Sequence, residues 1–320
     1  MSSEAQEQDF SESVVGIDVG DRVVTAARAS VQRDGRILLT HAGAQEYAAN
    51  ATDARIAHAI RTLWRNAGFS CFTVASCLRS PLVCLKHFRL QGLKNAELAS
   101  ALKIEAEEAL QMPPDRIAID WHVSGGQSPA RTTAGVSEME GLLVAVPATE
   151  VQRHLSILRM AGLYPVVLDV GALAVSNLYH ALNREAPAKS GVCLVNLGCR
   201  MADIAVLYGS NSVYPRTIFS RAEDWDTTPN FLATNIQDVL KYYQFKLRQE
   251  PLNKILLCGQ IPGRPDFITQ LEASTGTHVE IWNPVSAMKC GFRTSRFFGN
   301  VGERLGPALA ASIGLALRRD

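Results

Sequence analysis

The stretch VGIDVGDRVVTAAR at residues 15–28 reads as two short strands rich in Val and Ile around a tight glycine turn. A second stretch, CLVNLGCRMADIAVLY at residues 193–208, repeats that pattern at the start of the other half of the chain. Because the pattern occurs twice, it supports a binding function of these turns more strongly than a single turn would. The matched turn positions are Asp18 with Asn196, Gly20 with Gly198, and Arg22 with Arg200.

Both turns have the chemistry of a phosphate site. Successive backbone N–H groups in such a turn form a concave nest for an anion, and glycine lets the backbone approach an oxyanion closely. The carboxylate of Asp18 can in addition hold a metal-bound water. Two facing turns of this kind would clamp a polyphosphate, whereas a plain β-hairpin is the alternative for either turn alone. The candidate phosphate-binding residues are Gly20, Asp21 and Arg22 in the first turn and Gly198, Cys199 and Arg200 in the second.

A third glycine turn, Cys258-Gly259-Gln260, follows an apolar strand-like run and precedes a predicted helix. In open α/β sheets, ligands bind beyond the carboxyl ends of the strands. Gly259 is therefore a candidate nucleotide contact. A simple connection between a strand and a helix is the alternative.

Composition argues against several other classes of protein. The 320 residues include 32 basic and 31 acidic side chains, so no polyanion-binding surface is indicated and nucleic acid is not an expected partner. No apolar run approaches the ~20 residues of a membrane span. The acidic residues 1–13 read as a short disordered tail without a secretory signal. Seven cysteines without metal-ligand spacing favour a reducing cytoplasm, and no protease, hydrolase or Walker motif occurs.

With these residues in view, the order of elements resembles the actin-like ATPase superfold, and the chain in detail resembles the PilM family of type IV pilus assembly proteins. The resemblance runs over residues 14–317. It rests on GIDVG at residues 16–20, the Glu- and Ala-rich helix and following strand at 97–123, the segment at 142–178, and GPALAASIGLAL at 306–317.

The resemblance implies an α/β, actin-like (ribonuclease H-like) fold of two lobes with a small αβ insertion similar to that of the division protein FtsA. The first part of the first lobe is expected at residues 14–75 and the inserted subdomain at 76–165. The second lobe is expected at 166–320, with a terminal helix that returns to the first lobe.

The resemblance also implies ATP and Mg²⁺ between the lobes. Asp18 and Gly20 match the first phosphate loop, with Asp18 as the metal anchor, while Gly198 matches the second loop and Gly259 the adenosine turn. The implied partner is the cytoplasmic N-terminal tail of a PilN-like inner-membrane protein, with self-association as a further option. The protein would then be cytoplasmic and peripheral at the inner membrane through that partner, without inserting directly into the membrane.

Three departures from the family pattern keep alternatives open. Asn196 stands where the second loop usually has Asp, which predicts weaker metal binding and at most slow ATP hydrolysis. Cys258 and Gln260 add side chains to the adenosine turn, and residues 221–226 replace a Gly-rich stretch. The leading hypothesis is a nucleotide-binding adaptor. A pseudo-ATPase scaffold of a pilus or type II secretion-like machine is the alternative, and a sugar or acetate kinase is a third reading that lacks a placed catalytic Asp.

Overall fold

The computed structural model describes residues 14–91, 95–123, 138–184, 191–208, 212–219, 229–246, 252–260, 265–291 and 305–318. The predicted tail at residues 1–13 and the stretch at 221–226 lie outside these ranges.

The strands are β1 (Val15–Val19), β2 (Val23–Val31), β3 (Ile37–Glu46), β4 (Thr73–Leu78), β5 (Cys84–Gln91), β6 (Ile117–Val123), β7 (Glu138–Pro147), β8 (Tyr164–Val170), β9 (Gly191–Leu197), β10 (Met201–Tyr208), β11 (Ser212–Phe219), β12 (Lys254–Gly259), β13 (Val279–Ile281) and β14 (Lys289–Cys290). The helices are α1 (Asp53–Ala67), α2 (Asn95–Leu110), α3 (Ala148–Met160), α4 (Gly171–Leu182), α5 (Pro229–Lys241), α6 (Pro265–Thr275) and α7 (Ala310–Ala316), and a π-helical turn at Tyr242–Lys246 follows α5.

The two predicted strand-turn-strand units are confirmed, and each opens a sheet of the same design. The first sheet has the order β14-β3-β2-β1-β4-β8, in which β3, β2 and β1 are antiparallel neighbours and β4 and β8 continue parallel to β1. The second has the order β11-β10-β9-β12-β13, again with an antiparallel meander followed by two parallel strands. The sequence repeat is therefore a repeat of topology.

Two helices lie between these sheets and join the lobes. Helix α4 contacts strands of both sheets, and α7 contacts α4, β1 and β2. One apolar cluster accordingly contains buried residues of both sheets and both helices, among them Leu39, Leu178, Leu194 and Ile313.

Helix α7 packs against its neighbours at backbone distance. A β-carbon built on Gly16 of β1 would lie 1.9 Å from the carbonyl oxygen of Ser312. A β-carbon on Gly314 would lie 1.8 Å from the carbonyl oxygen of Ala174 in α4. Only glycine allows such approaches, so both contacts depend on residues without a side chain.

A third, smaller sheet has the order β5-β7-β6 and is covered by α2. Its own apolar core contains Phe88, Leu102 and Leu143. This unit spans residues 84–147, inside the predicted insertion of residues 76–165. Helix α3, which falls within the predicted bounds, instead contributes Ile157 and Leu158 to the core beneath the first sheet. We therefore propose 84–147 as the inserted subdomain.

Among the described residues, none of the helices combines the length and apolar character that crossing a bilayer requires.

Candidate functional site

The two glycine turns are closed by the same backbone hydrogen-bond pattern. In the first, the N–H of Gly20 donates to the carbonyl of Val23 over 3.0 Å, and in the second the N–H of Gly198 donates to the carbonyl of Met201 over 2.7 Å. These glycine amides close their own turns, so a phosphate would use other N–H groups.

The structure brings the two turns together across the lobes. The carboxylate of Asp21 accepts a hydrogen bond of 3.1 Å from the backbone N–H of Arg200. It also lies 3.6 Å from the guanidinium of Arg200. Asp21 and Arg200 were predicted to contribute phosphate-binding amides, but here a carboxylate of the first turn already binds the amide of the second.

The third turn lies beside the second, as its place at the end of β12 predicts. Gly259 has a positive φ of 87°, and a β-carbon there would lie 2.2 Å from the carbonyl oxygen of Leu197. The N–H of Gln260 donates to that same carbonyl over 2.7 Å, and the thiol of Cys199 donates to Oε1 of Gln260 over 3.0 Å. The predicted residues Cys199 and Gly259 therefore belong to one site.

An interlobe cleft of about 1080 Å³ opens next to these three turns. Ligand pockets for small molecules commonly measure about 300–1,000 Å³, so the cleft can accommodate a nucleoside. Its lining includes Arg22, Tyr47, Cys199, Gly259, Gln260 and Leu305.

Arg79, which follows β4 directly, is the most central of the site residues that the sequence did not predict; Asp203 is another. The side chain of Arg79 is only 4% exposed. Its Nη2 and Nε donate to Asp203 of the second lobe over 2.8 and 3.2 Å, and its Nε lies 3.4 Å from the carboxylate of Asp18 in the first lobe. One signal could have found Arg79: it is a charged residue that follows a buried strand at the ligand-binding edge of a sheet.

Burial and the ion pair with Arg79 shift the pKa of Asp18 in opposite directions. Burial raises the pKa of Asp18 above its ordinary value, although Arg79 opposes the shift. Burial also opposes the charge of Arg79, but Asp18 and Asp203 raise its pKa above the ordinary range, so it stays protonated. Thr217 supports the arrangement by donating to Asp203 over 3.1 Å.

The residues around Asp18 do not fit the Mg²⁺ that the family resemblance implies there. The carboxylate of Asp18 already contacts a buried guanidinium, and a divalent cation beside it would meet that fixed positive charge. Asn196, at the matching position of the second turn, is buried and offers a neutral amide, whose Nδ2 has no hydrogen-bond partner within the described ranges. Within those ranges no group of three potential metal-ligating side chains occurs.

A small polar cavity of about 150 Å³ lies on the other side of the first turn and is lined in part by Asp21, Arg79 and His154. The imidazole of His154 lies 2.8 Å from the hydroxyl of Ser76, which is fully buried. Burial lowers the pKa of His154 from 6.5 to about 4. The neutral imidazole is thus the form that the fold accommodates.

We expect this histidine to make the protein less stable in mild acid. The stability that neutral His154 contributes is complete above about pH 6.5 and is lost as the pH falls toward 4, which amounts to about 2 kcal/mol between pH 7 and pH 5. Urea unfolding of wild type and a His154→Gln variant at both pH values measures the effect. The variant should lose less stability on acidification than the wild type does, and equal losses would contradict the assignment.

A second candidate site is a groove of about 400 Å³ between the inserted subdomain and the first lobe. It lies between β6 and β8, each of which is an edge strand of its described sheet. Its walls are largely apolar and include Ala118, Val144 and Leu168, with Asp120 at one side. The buried carboxylate of Asp169 there is paired with Arg318.

Comparison with known proteins supports the same fold. The family described as type IV pilus assembly protein PilM matches residues 16–219. A solved PilM-PilN type IV pilus biogenesis complex contains a chain 19% identical to this one, with 95% of this chain and 97% of that chain covered and a TM-score of 0.78. The ethanolamine utilization protein EutJ from Carboxydothermus hydrogenoformans is 11% identical, with 95% and 89% covered and a TM-score of 0.50. The predicted actin-like fold is confirmed.

Proposed function

Because this chain belongs to the PilM family of type IV pilus assembly proteins, we propose that it is a cytoplasmic adaptor in pilus assembly. It binds the cytoplasmic N-terminal tail of a PilN-like inner-membrane protein and is thereby held at the inner membrane. The observation that carries this proposal is the apolar groove between two edge strands, in a chain of this family.

The groove suits an extended peptide. An edge strand offers backbone N–H and C=O groups that a peptide can pair with by adding a strand to the sheet. Residues Ala118 and Asp120 of β6 oppose Val146 and Val144 of β7, which places these side chains on the face toward the groove. On β8, Leu168 and Val170 line the groove.

Charge indicates which tail would fit. Asp169 is neutralised by Arg318, whereas Asp120 is exposed at the groove. We therefore propose that the bound tail is apolar with a basic residue placed near Asp120.

A substitution in the groove tests this proposal. Val144→Glu places a carboxylate in the apolar wall, so we expect the affinity for a synthetic PilN-like tail peptide to fall at least tenfold, or about 1.4 kcal/mol. Fluorescence anisotropy with a labelled peptide measures the affinity. Phe245→Glu, an equivalent change at a residue that is 74% exposed on the second lobe, is the matched control. Unchanged affinity in a folded Val144→Glu protein would refute the placement of the tail.

We also propose that the interlobe cleft binds a nucleotide, because its volume and the close backbone approach at Gly259 favour a nucleoside. Hydrolysis would be slow at most, since Asn196 replaces a carboxylate. Calorimetric titration of the purified protein with ATP tests this part separately. Tail binding without any nucleotide binding would instead indicate a pseudo-ATPase scaffold.

A further inference from the structure

The side chain of Gln260 lies where the three glycine turns meet. Its backbone N–H donates to the carbonyl of Leu197, just before the second turn, over 2.7 Å. Its Oε1 accepts a hydrogen bond of 3.0 Å from the thiol of Cys199 in that turn. Its Nε2 reaches the first turn, where a β-carbon built on Gly20 would be 3.5 Å from it. Gln260 therefore belongs to the third turn and lies against both of the others.

Gln260 is also part of the lining of the interlobe cleft, together with Arg22, Cys199 and Gly259. The residue is half-buried, so one side of it is held by the protein and the other is open. A ligand in the cleft can reach this side chain directly.

The thiol of Cys199 determines which end of the Gln260 carboxamide carries the oxygen. Burial raises the pKa of Cys199 above its ordinary value, so the thiol stays protonated at neutral pH and acts as a donor. A carboxamide that accepts this hydrogen bond turns its NH₂ group toward the first turn. Among the described residues, no acceptor for that NH₂ group is found. Two N–H donors are thus left for a ligand.

The charges around this NH₂ group favour a phosphate oxygen as its acceptor. Arg22 is exposed, and its positive charge acts on the Cys199 thiol, which places it at the same end of the cleft as Gln260. The carboxylate of Asp21 is already bound to the second turn. Glu46 also lines the cleft, but it is exposed, so water and salt screen its charge. A phosphate beside Gln260 would therefore meet a cation and a neutral donor.

We propose that Gln260 is a phosphate-binding residue of the cleft, whose NH₂ group donates to the nucleotide while Cys199 holds its oxygen. This inference rests on the nucleotide-binding part of the proposed function. It adds the residue by which the cleft distinguishes a nucleotide from a nucleoside. The side chain that departs from the family's adenosine turn then has a function of its own.

Gln260→Glu tests this inference, because it keeps the size of the side chain and replaces the NH₂ donor by a carboxylate oxygen. Calorimetric titration of the full chain with adenosine and with ADP, with Mg²⁺ present throughout, measures both affinities. We expect the affinity for ADP to fall at least tenfold, since a donor to an anion is lost and a negative charge faces the phosphate. The affinity for adenosine should stay within about twofold of the wild type, because adenosine has no phosphate.

Gln45→Glu is the matched control. Gln45 also lines the cleft, but its Nε2 donates to the carbonyl of Glu46. The same substitution there adds a carboxylate to the cleft and leaves Gln260 in place. Its affinity for ADP should change by less than about threefold, because an exposed charge is screened by salt. Circular dichroism confirms that each variant is folded.

The other outcomes are distinct. An unchanged affinity for ADP in Gln260→Glu would overturn the inference. Equal losses for adenosine and ADP would also overturn it, because Gln260 would then only shape the turn, and so would equal losses of ADP affinity in the two variants. If the wild type binds neither adenosine nor ADP, the nucleotide site of the proposed function is wrong as well, while the tail-binding assay remains unaffected.

Discussion

An Arg79→Ala variant is expected to lose about 3–5 kcal/mol of its free energy of unfolding, because the substitution leaves buried charge without its partner. Asp18 and Asp203 come from different lobes and both contact this one guanidinium. Without it, either the carboxylates remain charged in a buried site or they take up protons, and both outcomes cost stability. Urea unfolding followed by tryptophan fluorescence measures the loss.

Two comparisons separate this effect from a general cost of removing arginine. Arg89→Ala breaks an exposed ion pair with Glu140, for which a loss within about 1 kcal/mol is expected. The deficit of Arg79→Ala should also shrink as the pH falls. Burial already raises the pKa of Asp18, and loss of Arg79 raises it further, so protonation relieves the variant more than the wild type. Equal losses in the two variants, or a deficit independent of pH, would contradict the role given to Arg79.

Gly259→Ala should lower the free energy of unfolding by about 2–5 kcal/mol, with two separable causes. An L-residue at the φ of 87° found here costs about 1–2 kcal/mol. The added β-carbon would also lie 2.2 Å from the carbonyl oxygen of Leu197 and 2.5 Å from Oδ1 of Asn196, and forcing extra volume into a packed site costs about 1–3 kcal/mol. The displaced turn should also weaken nucleotide binding.

Gly276→Ala is the matched control for this prediction. Gly276 has a φ of 65°, but a β-carbon there would meet nothing within 4 Å. Its substitution therefore reports the conformational cost alone. Thermal and urea unfolding of both variants should show the larger loss for Gly259→Ala. Equal losses would mean that the contact with Leu197 does not constrain the turn.

Local patterns in the sequence predicted much of this fold. Runs of Val and Ile around a glycine turn suffice to predict each hairpin, and the match between the two stretches predicts that the hairpins are equivalent. The relation of Gly20 to Gly198 therefore follows from sequence alone. So does the position of Gly259 after β12, because a glycine that ends an apolar run marks the end of a strand.

The ion pairs of the site could not be predicted in the same way. Arg79 and Asp203 are far apart in the chain, and periodicity carries no information on which charged residues meet across two lobes. A carboxylate within a buried strand, such as Asp203 in β10, indicates a partner, but the local sequence does not identify that partner. The metal at Asp18 was likewise expected only from the resemblance to the family. That resemblance gives no information on the guanidinium of Arg79, which lies beside Asp18 in the folded chain.

The groove between β6 and β8 shows a second limit of prediction from sequence. Whether β6 and β8 are edge strands depends on the order of strands in two sheets, and that order is a property of the folded chain. The bounds of the inserted subdomain depend on the same information, because α3 follows the subdomain in sequence but packs beneath the first sheet.

The backbone contact between Gly16 and Ser312 also has a consequence for synthesis of the protein. The first strand leaves the ribosome almost 300 residues before the helix that covers it. Until α7 emerges, the nascent first sheet has an uncovered apolar face. Contacts of such large sequence separation form slowly, and exposed apolar surface promotes aggregation, so the growing chain is a candidate client for a chaperone at the ribosome.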